Sequence, residues 1–63
     1  MATTIEMTCR AFRGETKPRR HSLMVDTDGR VRVWDDIGNI YTVCHSLNVR
    51  DERRARKLAG VTA

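Results

Sequence analysis

The stretch Asp26-Thr27-Asp28-Gly29-Arg30 constrains this chain more than any other, because it has the chemistry of a three-residue hairpin loop with glycine in the left-handed position. Such a loop admits one register. It sets Asp26 opposite Arg30, Val25 opposite Val31, Met24 opposite Arg32, Leu23 opposite Val33 and Ser22 opposite Trp34, so that apolar residues meet on one face and opposite charges close the turn. Asp35-Asp36-Ile37-Gly38-Asn39 repeats the Asp-x-x-Gly-x spacing. The same kind of loop there predicts Trp34 opposite Ile40, Val33 opposite Tyr41 and Val31 opposite Val43.

Residues 3–12 alternate, with Ile5, Met7, Cys9 and Ala11 on one side and Thr4, Glu6, Thr8, Arg10 and Phe12 on the other, which is the period of a half-buried strand. Residues 13–20 break the pattern with Gly14, Lys17-Pro18 and a cluster of charge, and form a basic loop. Strands are thus expected at about 3–12, 21–26, 30–35 and 39–45. Their inner face gathers Leu23, Val25, Val31, Val33, Tyr41 and Val43, joined by the apolar side of the first strand. No charge falls on that face, and a sheet so built needs a cover.

The tail supplies one. Residues 49–59 are expected as a helix capped by Asn48 or Ser46, with Asp51 and Glu52 in the positive first turn and Arg56, Lys57 and Gly60 at the other end. At 100° per residue, Ala55, Leu58 and Ala59 turn inward while Arg50, Arg53, Arg54 and Lys57 cluster on the opposite side. One large side chain in three makes a poor lid, so Leu47, Val49 or Val61 must help. The fold class is α+β: a three- to four-stranded antiparallel meander, packed on one face by a C-terminal helix. In layout alone this order is similar to the single-strand-binding coactivator domain and to the three-stranded-sheet domains of integrases and plant transcription factors; neither's diagnostic motif is present, and no residue role carries over.

A chain of 63 residues is expected to form one domain, 1–63, that buries only about 60% of its unfolded surface, so self-association is expected to add stability. Residues 48–63 carry five Lys and Arg against two Asp and Glu, while residues 1–47 carry seven against six. This lopsided charge, within a formal net charge of +4, favours polyanionic partners. No apolar run approaches the roughly 18 residues needed to span a bilayer, and the start lacks a basic segment followed by an apolar one. A cytoplasmic location and no membrane partner are expected.

The leading expectation is a small accessory or regulatory protein that binds DNA or RNA through Arg50, Arg53, Arg54 and Lys57, supported by Lys17, Arg19 and Arg20 of the loop. The alternative is a protein-interaction module, an inhibitor or assembly factor. It would bind an acidic protein through the basic helix or the outer sheet face, or itself through that face, where Phe12, Met24, Arg32, Trp34 and Ile40 are expected beside Arg10 and Arg30. Zinc finds no closely spaced ligand pairs among Cys9, Cys44, His21 and His45, and an inward Cys9 with an outward Cys44 speaks against both a shared metal and a disulfide. Asp35-Asp36 falls in a turn, and no nucleophile elbow or Gly-rich phosphate loop occurs. No catalysis and no cofactor are therefore expected; a small ribonuclease using His21 or His45 is the residual enzymatic alternative.

Overall fold

Gly29 takes the left-handed conformation that the first turn requires, at φ 92°, and the register of the flanking strands follows from it. The computed structural model describes residues 2–61, so Met1, Thr62 and Ala63 of the expected domain lie outside the described residues. Strands β1 (Thr3–Cys9), β2 (Arg19–Val25), β3 (Val31–Asp35) and β4 (Ile40–Thr42) form one antiparallel sheet in the order β1-β2-β3-β4, followed by helix α1 (Val49–Leu58). Leu23 faces Val33, Met24 faces Arg32 and Val25 faces Val31, as the turn chemistry predicts. The charge pair at this hairpin differs from expectation: Asp26 reaches Arg32, at 3.2 Å, rather than Arg30, whose N–H binds the Asp28 carboxylate at 2.9 Å.

The second hairpin is one residue out of the expected register. Trp34 faces Tyr41, Val33 faces Thr42 and Asp35 faces Ile40. The cause is local. Asp35 Oδ1 accepts the N–H of Ile37 (2.9 Å) and of Gly38 (3.4 Å), and Asn39, not Gly38, takes the left-handed conformation at φ 53°. The loop is thereby four residues long. Because side chains alternate with period two, one step of slip exchanges faces. Tyr41 joins Trp34 outside, Ile40 moves to the inner-side position opposite Asp35, and Val43, expected in the core, is 52% exposed.

The core comprises Met7, Cys9, Ala11, Leu23, Val25, Val31, Val33, Leu47 and Ala55. Leu47 is the large side chain that the helix itself lacks. On α1 only Ala55 is buried; Leu58, expected inward, is 55% exposed, and Val49 is 64% exposed, while Ala59 and Val61 pack partly against the core. A small residue at the contact lets the helix backbone lie close to the sheet.

Three hydrogen bonds fix the connection from β4 to α1. β4 stops after Thr42, and the Val31 carbonyl is taken by His45 Nε2 (3.0 Å) while His45 Nδ1 accepts the Leu47 N–H (3.3 Å). These partners define the Nε2–H tautomer. Ser46 N–H then binds the Ala11 carbonyl at 2.7 Å, carrying the chain to the far end of β1, where the helix begins.

Candidate nucleic-acid interface

Both ends of α1 are stopped by side-chain or backbone hydrogen bonds. Asn48 Oδ1 accepts the Asp51 N–H at 2.8 Å, and Asp51 and Glu52 occupy the first turn, where the helix dipole favours anions. At the other end Gly60 is left-handed, at φ 77°, and Gly60 and Val61 donate to the carbonyls of Lys57 and Arg56 at 3.1 and 2.9 Å, a Schellman closure. Arg56 also clamps the helix to the first hairpin: its Nη1 reaches the Gly29 carbonyl at 3.3 Å and lies 3.8 Å from Glu52.

With the helix held in this rotation, Arg50, Arg53, Arg54 and Lys57 are all exposed, and among the described residues none of them is in an ion pair. Arg50 and Arg54 border a groove of about 660 Å³ between the start of the helix and the end of β1, lined also by Thr8, Cys9, Arg10, Pro18, Asn48 and Asp51. Arg10 is the residue that strand periodicity misplaces. Alternation assigned it to the outer sheet face, but β1 ends at Cys9, three residues earlier than expected, and beyond that point period two no longer governs direction. The sequence signal that marks the break is Gly14-Glu15, which folds the following chain back on the strand end.

Glu15 is the hub of that fold. Its carboxylate accepts the N–H groups of Ala11 (2.8 Å) and Phe12 (2.9 Å) and meets His21 Nε2 at 2.9 Å, with only 13% of its side chain exposed. Burial alone would raise its pKa; the two backbone donors and His21 outweigh that and hold it below the ordinary glutamate value. The loop they shape brings Pro18 to the groove, while Arg13, Lys17 and Arg19 rim an adjoining hollow of about 380 Å³. Arg20 stands apart from them: it pairs with Glu6 at 3.1 Å. Cys9, at the floor of the groove, has its thiol pushed up to about 11, first by burial, then by the charges of Asp51 and Glu15, with Arg54 partly offsetting them.

The outer sheet face pairs some of its polar groups internally and leaves Arg32 Nε buried without a hydrogen-bond partner among the described residues. Trp34 and Tyr41 meet edge to face at 5.0 Å, the Tyr41 hydroxyl lies 3.0 Å from Ser22 Oγ, and Met24, Arg32, Trp34 and Tyr41 are half-buried. Phe12, expected on this face, instead packs against the core and stands edge-on to His21, with centroids 5.7 Å apart. Cys9 is buried, Cys44 is exposed, and both are free. Among the described residues no helix is long and apolar enough to cross a membrane. Comparison with known protein families, with curated proteins and with solved structures finds no match for this chain.

Proposed function

We propose that this protein is a small accessory or regulatory protein that binds nucleic acid through the exposed face of α1, with Arg50, Arg53, Arg54 and Lys57 neutralising phosphates and Arg10 and the 13–20 loop flanking them. The observation that carries this reading is that four cations gather on one side of a single helix. Arg20, Arg32 and Arg56 are matched to carboxylates, whereas the other nine Lys and Arg, these four among them, are exposed and unpaired among the described residues. From Arg50 to Lys57 the helix rises about 10 Å, a span over which duplex DNA carries several phosphates. Such contacts give affinity through counterion release without choosing a sequence.

The alternative partner, an acidic protein held on the outer sheet face, is less favoured because the Arg32 guanidinium there is already matched to Asp26 and the Tyr41 hydroxyl to Ser22, which leaves Arg32 Nε as the one buried side-chain group without a partner among the described residues. Non-catalytic binding is also favoured over a ribonuclease. Both nitrogens of His45 are engaged within the fold, and His21 Nε2 is held by Glu15. A cytoplasmic location suits both a nucleic-acid partner and two free thiols.

The test replaces Arg50, Arg53, Arg54 and Lys57 together by Gln. The expected outcome is an unchanged circular dichroism spectrum with loss of nucleic-acid retention in a gel-shift titration; undiminished retention by the folded variant overturns the proposal.

A further inference from the structure

The aromatic side chains of this protein are all committed away from the basic helix face. The chain has one Trp, one Tyr and one Phe. Trp34 and Tyr41 stand edge to face at 5.0 Å on the side of the sheet that α1 does not cover, and Phe12 packs against the core, edge-on to His21. Among the described residues α1 carries no aromatic side chain, and none lines the groove that Arg10, Arg50 and Arg54 border. Proteins that hold single strands grip bases as well as phosphates: unpaired bases stack on aromatic rings set beside cations, at roughly 1–3 kcal/mol for each base.

Trp34 does stand beside cations, but not in a cationic field. It lines a separate hollow of about 260 Å³ with Arg19 and Arg20, where Glu15, Asp35 and Asp36 set three carboxylates against two guanidiniums. Arg20 is already matched to Glu6, and His21 in the same hollow is held by Glu15. That balance leaves no net attraction for phosphate, so the ring and the basic face do not form one single-strand track.

Charge density on the helix points the same way. From Arg50 to Lys57 the axis advances about 10 Å, over which a duplex presents about six phosphates and one of its strands about three. Four exposed cations occupy that length of helix, and Arg10 adds a fifth from the groove. Five cations match the duplex and exceed what one strand can neutralise.

We infer that, given the reading of this helix face as a nucleic-acid interface, its ligand is the double-stranded form, held by the phosphate backbone, and that unpaired strands are poor ligands. Paired DNA and paired RNA share the chemistry that selects them: bases stacked out of reach and phosphates from two strands close together.

The test presents one sequence to the full chain as single-stranded DNA, as a DNA duplex and as an RNA duplex at one salt concentration, with binding followed by the anisotropy of a dye on the oligonucleotide. The tighter of the two duplexes is expected to bind at least about tenfold better than the single strand. Trp34, the chain's one tryptophan, gives a second readout: its emission is expected to stay unchanged when unlabelled duplex saturates the protein, because the outer face is not used. Equal or tighter binding of the single strand, or quenching of Trp34 by saturating duplex, overturns the inference. If the single-strand binding is then lost on replacing Arg50, Arg53, Arg54 and Lys57 by Gln, the helix reading stands and only the choice of duplex falls; no binding of any of the three ligands overturns both.

Discussion

Replacing Glu15 by Gln keeps the shape of the side chain and removes its charge, and so isolates what the carboxylate does for the loop that borders the basic groove. Glu15 Oε1 accepts two backbone N–H groups, at 2.8 and 2.9 Å, and both oxygens lie within 3.0 Å of His21 Nε2. A glutamine can keep one oxygen on the backbone donors, but it turns an amide N–H₂ towards His21. Hydrogen bonds to a charged group contribute roughly 1.5–3 kcal/mol each, against about 1 kcal/mol for neutral ones. With three such contacts affected, Glu15→Gln is expected to cost about 2 kcal/mol, a large part of the roughly 3–5 kcal/mol that a core this small supplies.

The pH dependence follows from the direction of the shift. The folded-state pKa of Glu15 is depressed, so its contribution is complete above the ordinary glutamate value and is lost as pH falls through the lower, folded one. Urea titrations of the two proteins should therefore separate by about 2 kcal/mol at neutral pH and converge once the carboxyl is protonated in both states. Equal stability at neutral pH, or a gap that persists unchanged in strong acid, refutes the assignment.

Leu23→Ala, at a fully buried central position, should cost about 2–5 kcal/mol and leave much of the chain unfolded at 25 °C by circular dichroism. Gly29→Ala puts a side chain at φ 92°, with its Cβ 3.3 Å from Arg56 Cδ, and a loss of about 1–2 kcal/mol should lower Tm by about 4–16 °C. An aromatic disulfide reagent at mildly alkaline pH should modify Cys44 rapidly and Cys9, whose thiol is raised to about 11 and buried, only when denaturant is added; equal rates in the native chain contradict the placement of Cys9.

The two hairpins show what local sequence decides and what it leaves open. Both carry Asp-x-x-Gly, but only Gly29 is the left-handed residue; in the second turn the Asp35 carboxylate captures the N–H groups of Ile37 and Gly38, and the left-handed position passes to Asn39. Glycine and asparagine both tolerate that conformation, so composition alone does not fix the loop length, and one residue of slip exchanges the faces of Ile40 and Tyr41. The helix was more legible, because a capping asparagine, first-turn acids and a closing glycine act within a few residues of one another. Its rotation was less so: an inward stripe of two alanines and one leucine is satisfied by burying Ala55 and leaving Leu58 out, once Leu47 fills the space. The four helical cations lie where the periodicity put them. Arg10 was hidden because its direction depends on where β1 stops, which is set by Glu15 binding the chain three and four residues back, at Phe12 and Ala11, rather than by alternation.

The salt dependence of nucleic-acid binding tests the central claim most directly. If Arg10, Arg50, Arg53, Arg54 and Lys57 each neutralise a phosphate, log Kobs against log salt for duplex DNA should fall with a slope of about −4 to −5, and the four-fold Gln variant should retain a slope of only about −1. A slope near zero for the unmodified chain, or the same steep slope in the variant, would contradict the assignment of this helix face to nucleic acid.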